Sequence, residues 1–169
     1  PSASTGCYWL SSASEDAKKV WRDVQPYQRN ELPSYGYHLG ADYNLGSGSD
    51  DKGKLIYPAE DGVVISVEEN YPGWGNIVFV RHDTSFGVYT TMYAHVDWVK
   101  GMPPSGEVSK NRAIAKVGNG NDLYPYHLHF EVREGTSTVV GTGYTSSQWG
   151  EAAIGPQNQI NPNQFIAEH

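Results

Sequence analysis

The sequence predicts a mainly β protein, a single domain built on antiparallel β-sheets with one short N-terminal helix. Three observations carry that expectation. From Tyr37 onward, apolar residues recur with period two in short segments rich in β-branched and aromatic side chains. No helical stretch separates those segments, which excludes βαβ units. The 19 glycines and 10 prolines make up about 17% of the chain against an average near 12%, which suits a sheet with many turns.

The elements follow in chain order. Ser12 and Glu15 have capping-box spacing, and Val20, Trp21 and Val24 recur at helical spacing before Pro26. This predicts a short amphipathic helix within an N-terminal extension, residues 1–35, that packs its Trp on the body. Strands are predicted over 62–69, 75–82, 88–96, 112–117 and 126–133. Pro72-Gly73, Ser85 to Gly87, Pro103-Pro104 and Gly118 to Asp122 are the turns that bound them. Residues 44–54 read as a polar loop, with Asp50-Asp51 in a solvated turn that matches no EF-hand spacing. Residues 134–150 read as a loop or edge hairpin. With 169 residues, near the roughly 150 of a typical domain, and no internal repeat or linker, residues 36–169 form one unit.

Charge and counting exclude several functions. The net charge is −7 and no basic cluster exceeds two residues, so a phosphate-tracking nucleic-acid binder is not expected. No apolar run reaches the length of a bilayer span. The chain begins at Pro1 without a signal-peptide pattern and reads as a mature or trimmed product. The single cysteine, Cys7, excludes an internal disulfide and any Cys-rich zinc site. There is no G-x-S-x-G and no P-loop, and Gly118-Asn-Gly120 lacks the third glycine of a dinucleotide fingerprint.

Histidine is the informative residue. Five of the six lie between His38 and His129. Strand alternation puts His127, His129 and Glu131 on one face, with Leu128, Phe130 and Val132 turned into a core. That row is either a metal and acid–base site or a solvated polar face. His38 and Asp42, four apart, would be about 13 Å apart on a straight strand. Gly40 between them allows the chain to bend and bring both to one point; otherwise they are a hydrogen-bonded pair or unrelated surface groups. Alternation also places Thr91, Tyr93 and His95 on a common face. His82, at a strand end, is expected to be structural. Two histidines and a carboxylate with an open position make a catalytic-type zinc site. Further imidazoles nearby supply acid–base and oxyanion functions.

These residues resemble the lysostaphin-type, LytM-like zinc metallopeptidases that cut peptidoglycan peptides. The family signature of H-x-G-x-D, Tyr-x-His and H-x-H-F-E reads here as His38-Leu-Gly-Ala-Asp42, Tyr93-Ala-His95 and His127-Leu-His-Phe-Glu131. Pro58-Ala-Glu-Asp-Gly62, Gly75-Asn76 and the closing Asn161-Pro-Asn-Gln-Phe165 also look similar. The resemblance implies one Zn²⁺ held by His38, Asp42 and His129, with water in the fourth place. It implies that His95 and His127 flank that water as general base and oxyanion stabiliser. It further implies a groove across the sheet for an extended peptidoglycan or Gly-rich peptide, with Tyr93 or Asn76 near it. The expected protein is a monomeric endopeptidase of the bacterial exterior, secreted or in the cell envelope. Two departures concern the substrate: the longer 44–54 loop, and Asp122-Leu-Tyr-Pro-Tyr126 where the family often has small residues. The alternative is a catalytically weak module of the same fold that binds peptidoglycan or regulates another hydrolase. A non-haem iron oxygenase is disfavoured because its H-x-D/E spacing differs from His38-x-x-x-Asp42.

Overall fold

Tight turns fold the middle of the chain into a meander. Gly73, at φ 77°, lies in the turn between β5 (Gly62–Tyr71) and β6 (Gly75–Thr84), and Asn70, at φ 52°, sits at the irregular end of β5 that leads into it. Gly87, at φ 146°, opens β7 (Gly87–Asp97). The computed structural model describes residues 21–27, 36–46, 48–98, 105–145 and 158–168. Around the meander lie β1 (Trp21–Gln25), β2 (Tyr37–His38), β3 (Ala41–Leu45), β4 (Leu55–Ile56), β8 (Gly106–Val108) and β9 (Ala115–Val117). β10 (Leu128–Glu134), β11 (Tyr144–Thr145) and β12 (Gln159–Ile160) complete the strands. The main sheet runs β1-β3-β10-β7-β6-β5-β8, with β12 on β10 and the β4–β9 pair joined to β7; β2 and β11 form a separate small pair. All the pairings are antiparallel.

The sheet is apolar on both faces, which explains the nearly continuous burial of β6 and β7. One face packs Tyr43, Val78, Val80, Tyr93, Leu128 and Phe130 with the β4–β9 layer. The other buries Trp74, Ile77, Phe79, Met92 and Ala94. The candidate site lies on this second face. Among the described residues no helix is long and apolar enough to cross a membrane.

The predicted N-terminal helix is corrected over Trp21–Gln25, which is strand β1, paired with β3 from Trp21↔Leu45 to Gln25↔Asp42. Trp21, Asp23 and Gln25 are more buried than Arg22 and Val24, a period-two pattern that five residues cannot distinguish from helical spacing without a partner strand. The capping-box residues Ser12, Glu15 and Asp16 lie outside the described residues, as do Cys7 and His169. Among the described residues the one helix is C-terminal, α1 (Pro162–Glu168). Asn161 caps it, its Oδ1 accepting from the amides of Asn163 and Gln164, and Pro162 takes the first position, where no amide is needed.

Strand alternation breaks at one place. Asn76 pairs with Val96 but Ile77 pairs with Ala94, so His95 is an extra, unpaired residue in β7 with φ 61°. This β-bulge re-aims the strand. Thr91 and Tyr93 stay on the core side, where the Tyr93 hydroxyl accepts from the Ala59 amide at 2.7 Å and lies 3.0 Å from Thr91 Oγ1. His95 is swung to the opposite face. Asn76 braces the bulge, donating from Nδ2 to the Val96 carbonyl while its Oδ1 accepts from the Asn70 amide. Neither Tyr93 nor Asn76 therefore lines the groove. Asp51 is also corrected: it is buried, not in a solvated turn.

Candidate metal centre

Two neighbouring strands bring the ligand candidates together. β3 and β10 pair with His129 opposite Asp42, and the short β2 sets His38 just ahead of β3. Gly40, between them, does not need a left-handed backbone; it needs the absence of a side chain. A Cβ there would lie 2.6 Å from the Phe130 carbonyl oxygen and 2.9 Å from the His129 ring. Glycine thus lets the His38–Asp42 segment press against β10.

The result is a triangle of electron-pair donors. His38 Nε2 lies 3.1 Å from His129 Nδ1 and 3.4 Å from Asp42 Oδ1, and His129 Nδ1 lies 2.9 Å from Asp42 Oδ1. The outer nitrogen of each ring faces an acceptor. His38 Nδ1 donates to the Gln25 carbonyl at 3.0 Å, and His129 Nε2 to Glu131 Oε1 at 3.2 Å. Each ring therefore turns its second nitrogen inward, toward the other ring and toward the Asp42 carboxylate. Three such electron-pair donors repel unless a proton or a metal cation lies among them; without an ion, protons bridge the ring nitrogens to Asp42, and a bound ion would take their place. Ligand atoms of a tetrahedral zinc site with bonds of about 2.0–2.1 Å are about 3.3–3.4 Å apart, so the donor set and its spacing fit a zinc ion. His38, Asp42 and His129 are the one group among the described residues whose ligand atoms gather in this way, and all three are buried.

Two further imidazoles line the same cavity, of about 280 Å³. His95 donates from Nδ1 to the Trp74 carbonyl at 2.9 Å, and His127 from Nδ1 to the Pro125 carbonyl at 2.7 Å. Both keep a lone pair on Nε2, and His127 Nε2 lies 3.8 Å from Asp42 Oδ2. The His95 and His127 ring centres are 4.8 Å apart. All five histidine and aspartate positions singled out from the sequence thus meet in one cleft. His82 does not: its Nδ1 donates to the Asp61 carbonyl and its Nε2 lies 2.8 Å from Thr91 Oγ1, so it is a structural group.

Burial and neighbouring charge set the protonation states. Burial favours a neutral Asp42, but hydrogen bonds from His129 and His38 outweigh it and hold the carboxyl well below the usual range. Burial likewise opposes charge on His129, yet Asp42 and Glu131 raise it to about 9. His95 is lowered to about 3, first by burial and then by His129 and His127. Burial also lowers His127. The two cleft imidazoles are therefore neutral near pH 7 and available as bases.

Of the wall residues, Trp74 was missed by sequence reasoning, whereas Tyr124 belongs to the bulky 122–126 run expected beside the substrate. Trp74 stacks on His95 with ring centres 5.5 Å apart and meets His129 edge-on at 5.0 Å. Its indole donates to the Gly141 carbonyl. Its signal was its place in the Pro72 to Gly75 turn, one residue before the Gly-Asn motif. Tyr124, from the bulky run before His127, donates to the Gly73 carbonyl at 2.9 Å and lies 4.6 Å from the His95 ring. It closes one end of the cleft.

Comparison with known proteins decides the family. The profile of peptidase family M23 matches residues 36–140. The chain belongs to that family. Among solved structures, a zinc-containing peptidase from Vibrio cholerae is 29% identical, with a TM-score of 0.53 over 66% of this chain and 32% of that one. The catalytic domain of lysostaphin from Staphylococcus simulans superposes over 95% of this chain and 97% of its own at a TM-score of 0.56. At 19% identity that likeness shows the fold. The murein hydrolase activator NlpD of Salmonella typhimurium is 29% identical over 79% of this chain. The chain spans 33% to 44% of the length of the curated relatives it matches. The resemblance read from His38-x-Gly40-x-Asp42 and His127-x-His129 is thus borne out, and the M23 fold carries a His-Asp-His site in this chain.

Proposed function

We propose that this M23 chain is a zinc-dependent endopeptidase that hydrolyses peptide bonds in peptidoglycan stem or cross-bridge peptides. The observation that carries the reading is the triangle of His38 Nε2, Asp42 Oδ1 and His129 Nδ1 beside two neutral imidazoles. His38, Asp42 and His129 would hold the ion. When bound, zinc lowers the pKa of water toward about 7 and polarises a carbonyl. The other contributions come from the chain. His95 and His127 carry the general-base and oxyanion-stabilising roles. Each ring has committed Nδ1–H to a backbone carbonyl, so Nε2 is the nitrogen that takes a proton from an attacking water. The ring that takes this proton passes it to the leaving amine, and the other ring would stabilise the developing oxyanion when its own Nε2 carries a proton drawn from solvent. Trp74 and Tyr124 narrow the cleft around His95 and exclude water and side chains. In this reading residues 36–169 are the metallopeptidase unit, the 1–35 extension supplies β1 and the Gln25 carbonyl behind His38, and the monomer works outside the cytoplasm, where peptidoglycan lies.

A second reading has one observation in its favour. NlpD is named a murein hydrolase activator, and a relative of that kind suggests a binding or regulating module. The presence of His38, Asp42, His95, His127 and His129 in one cleft supports catalysis instead. The two separate in one experiment, release of free amines from cross-linked peptidoglycan by zinc-loaded, chelated and zinc-restored protein. The proposal expects release, its loss on chelation, and its return with zinc. A regulator would release no amines alone and would raise the rate of an added murein hydrolase.

A further inference from the structure

The buried groups behind His129 are not used by the chemistry above. Glu131 and Arg133 follow it on the same face of β10, and both are fully covered, with Arg133 at 0% exposure. Glu131 Oε2 accepts from Arg133 Nε at 2.9 Å, from Arg133 Nη2 at 2.7 Å and from Gln159 Nε2 at 3.2 Å. That oxygen is saturated. Oε1 is left for His129 Nε2, 3.2 Å away. Arg133 is itself fixed, donating from Nη1 to the Val139 carbonyl at 2.8 Å and the Ser137 carbonyl at 3.3 Å, with its guanidinium 5.2 Å from the Phe79 ring centre.

Stability does not account for this arrangement, because a buried ion pair is commonly no better than well-packed apolar residues of similar volume. The neighbouring Leu128, Phe130 and Val132 show that this strand packs apolar residues readily. The need is local to His129. An imidazole has two nitrogens, and which one presents a lone pair is set by the hydrogen bond the other makes. His38 obtains that bond from the Gln25 carbonyl at the end of β1. His129 lies in a strand paired on both sides, to β3 and β7, where backbone carbonyls serve the ladder. A side-chain acceptor two residues along the same face takes their place.

We propose that Glu131 is the positioning residue for His129, fixing Nε2 as the protonated nitrogen and Nδ1 as the one aimed at the metal site, and that Arg133 with Gln159 holds Glu131 in that role. Glu131 is behind the ring, remote from the His38–Asp42 side, so it is not a ligand. The inference rests on the reading of His129 as a zinc ligand.

Two measurements test it on the full chain. The first is the ring nitrogen shifts of His129 in ¹⁵N-histidine protein with and without Zn²⁺, which need no substitution. The expected result is zinc on Nδ1 and a proton on Nε2; zinc on Nε2 overturns the inference. The second compares two double variants by zinc affinity, using chelator competition, and by the visible spectrum of the Co²⁺ form. E131L/R133M removes the acceptor without leaving an unpaired charge; E131Q/R133M removes the same charges but restores an acceptor. The first should bind zinc about 10–100-fold more weakly than wild type with an altered cobalt spectrum, and the second should recover most of the loss. Equal, wild-type-like affinity and spectra in both overturn the inference while leaving zinc binding intact. Failure of the wild type to bind zinc overturns the proposed function and this inference together, and is seen before any variant is compared. Should E131L/R133M not fold, the nitrogen shifts decide.

Discussion

Gly40→Ala should damage both the fold and the metal site, whereas Gly62→Ala should damage the fold alone. At Gly40 the added methyl would lie 2.6 Å from the Phe130 carbonyl oxygen and 2.9 Å from the His129 Cε1 and Nε2 atoms. An ordinary carbon–oxygen contact is several tenths of an ångström longer, and the oxygen belongs to a backbone paired with Ala41, so it cannot rotate away. Overpacking of this kind costs about 1–3 kcal/mol, which lowers Tm by roughly 3–9 °C in a chain of this size. The second contact pushes the His129 ring, whose lone pair must stay within about 3 Å of two other donors, so zinc affinity falls as well. At Gly62 the methyl would meet the Arg81 carbonyl oxygen at 2.4 Å and His82 Nδ1 at 2.8 Å. That clash is at least as severe, but it lies on the β5–β6 pairing, where His82 is structural. The assay is thermal unfolding of the metal-free proteins together with zinc affinity by chelator competition. Gly40→Ala should lose on both counts and Gly62→Ala on the first only. Wild-type zinc affinity in Gly40→Ala, or equal losses of affinity in the two variants, would refute the argument that Gly40 is required for ring clearance.

Three further outcomes are expected. His95→Ala should retain zinc and lose about 10²–10⁴-fold in turnover, since His95 bonds to the Trp74 carbonyl and not to the ligand triangle; metal analysis beside peptide hydrolysis checks this, and loss of the metal contradicts the division of roles. Tyr124→Ala should open the closed end of the cleft and raise kcat/KM for peptides with a bulky residue beside the scissile bond, relative to glycine, by about tenfold or more. An unchanged preference would remove Tyr124 from the wall. Asp51 is buried with its Oδ2 lacking a hydrogen-bond partner, and burial pushes its carboxyl up to about 6. A carboxyl raised in the folded state is neutral in both states at low pH and resists ionisation only in the folded one. Its penalty is therefore absent below about pH 4, grows as pH rises to 6, and stays constant above. Relative to wild type, Asp51→Asn should gain about 1–2 kcal/mol in unfolding free energy between pH 4 and pH 8, after allowance for solvent screening; denaturant unfolding at the two pH values measures it, and no change with pH contradicts it.

The parts legible in the sequence were those governed by local periodicity. His129 and Glu131 share a face because β10 is a regular strand, and they do meet; His127 lies just ahead of that strand and still reaches the same cavity. Gly40 between His38 and Asp42 marked a close approach, although the requirement turned out to be room for the His129 ring and not a bend. What escaped was set by tertiary pairing. The bulge at His95 exists because β6 and β7 fall out of register between Asn76 and Ile77, and a single strand carries no record of its partner's register. For the same reason Trp21 and Val24 read as a helix until β3 supplied a pairing edge. Trp74 contributes to the site from a turn, where no periodicity predicts direction. The C-terminal helix was different: Asn161-Pro162 is a cap signal, present in the sequence and not used.

Cleavage of peptidoglycan peptide bonds with zinc held by His38, Asp42 and His129 is what would distinguish a peptidase from a regulator of the same fold. The most direct measurement is digestion of cross-linked peptidoglycan and of a pentaglycine peptide by the zinc-loaded protein, with His129→Ala as control and new amino termini identified by mass spectrometry. Defined new termini are expected from at least one substrate and none with the variant. No cleavage of either substrate by protein carrying one zinc per chain would contradict the peptidase reading.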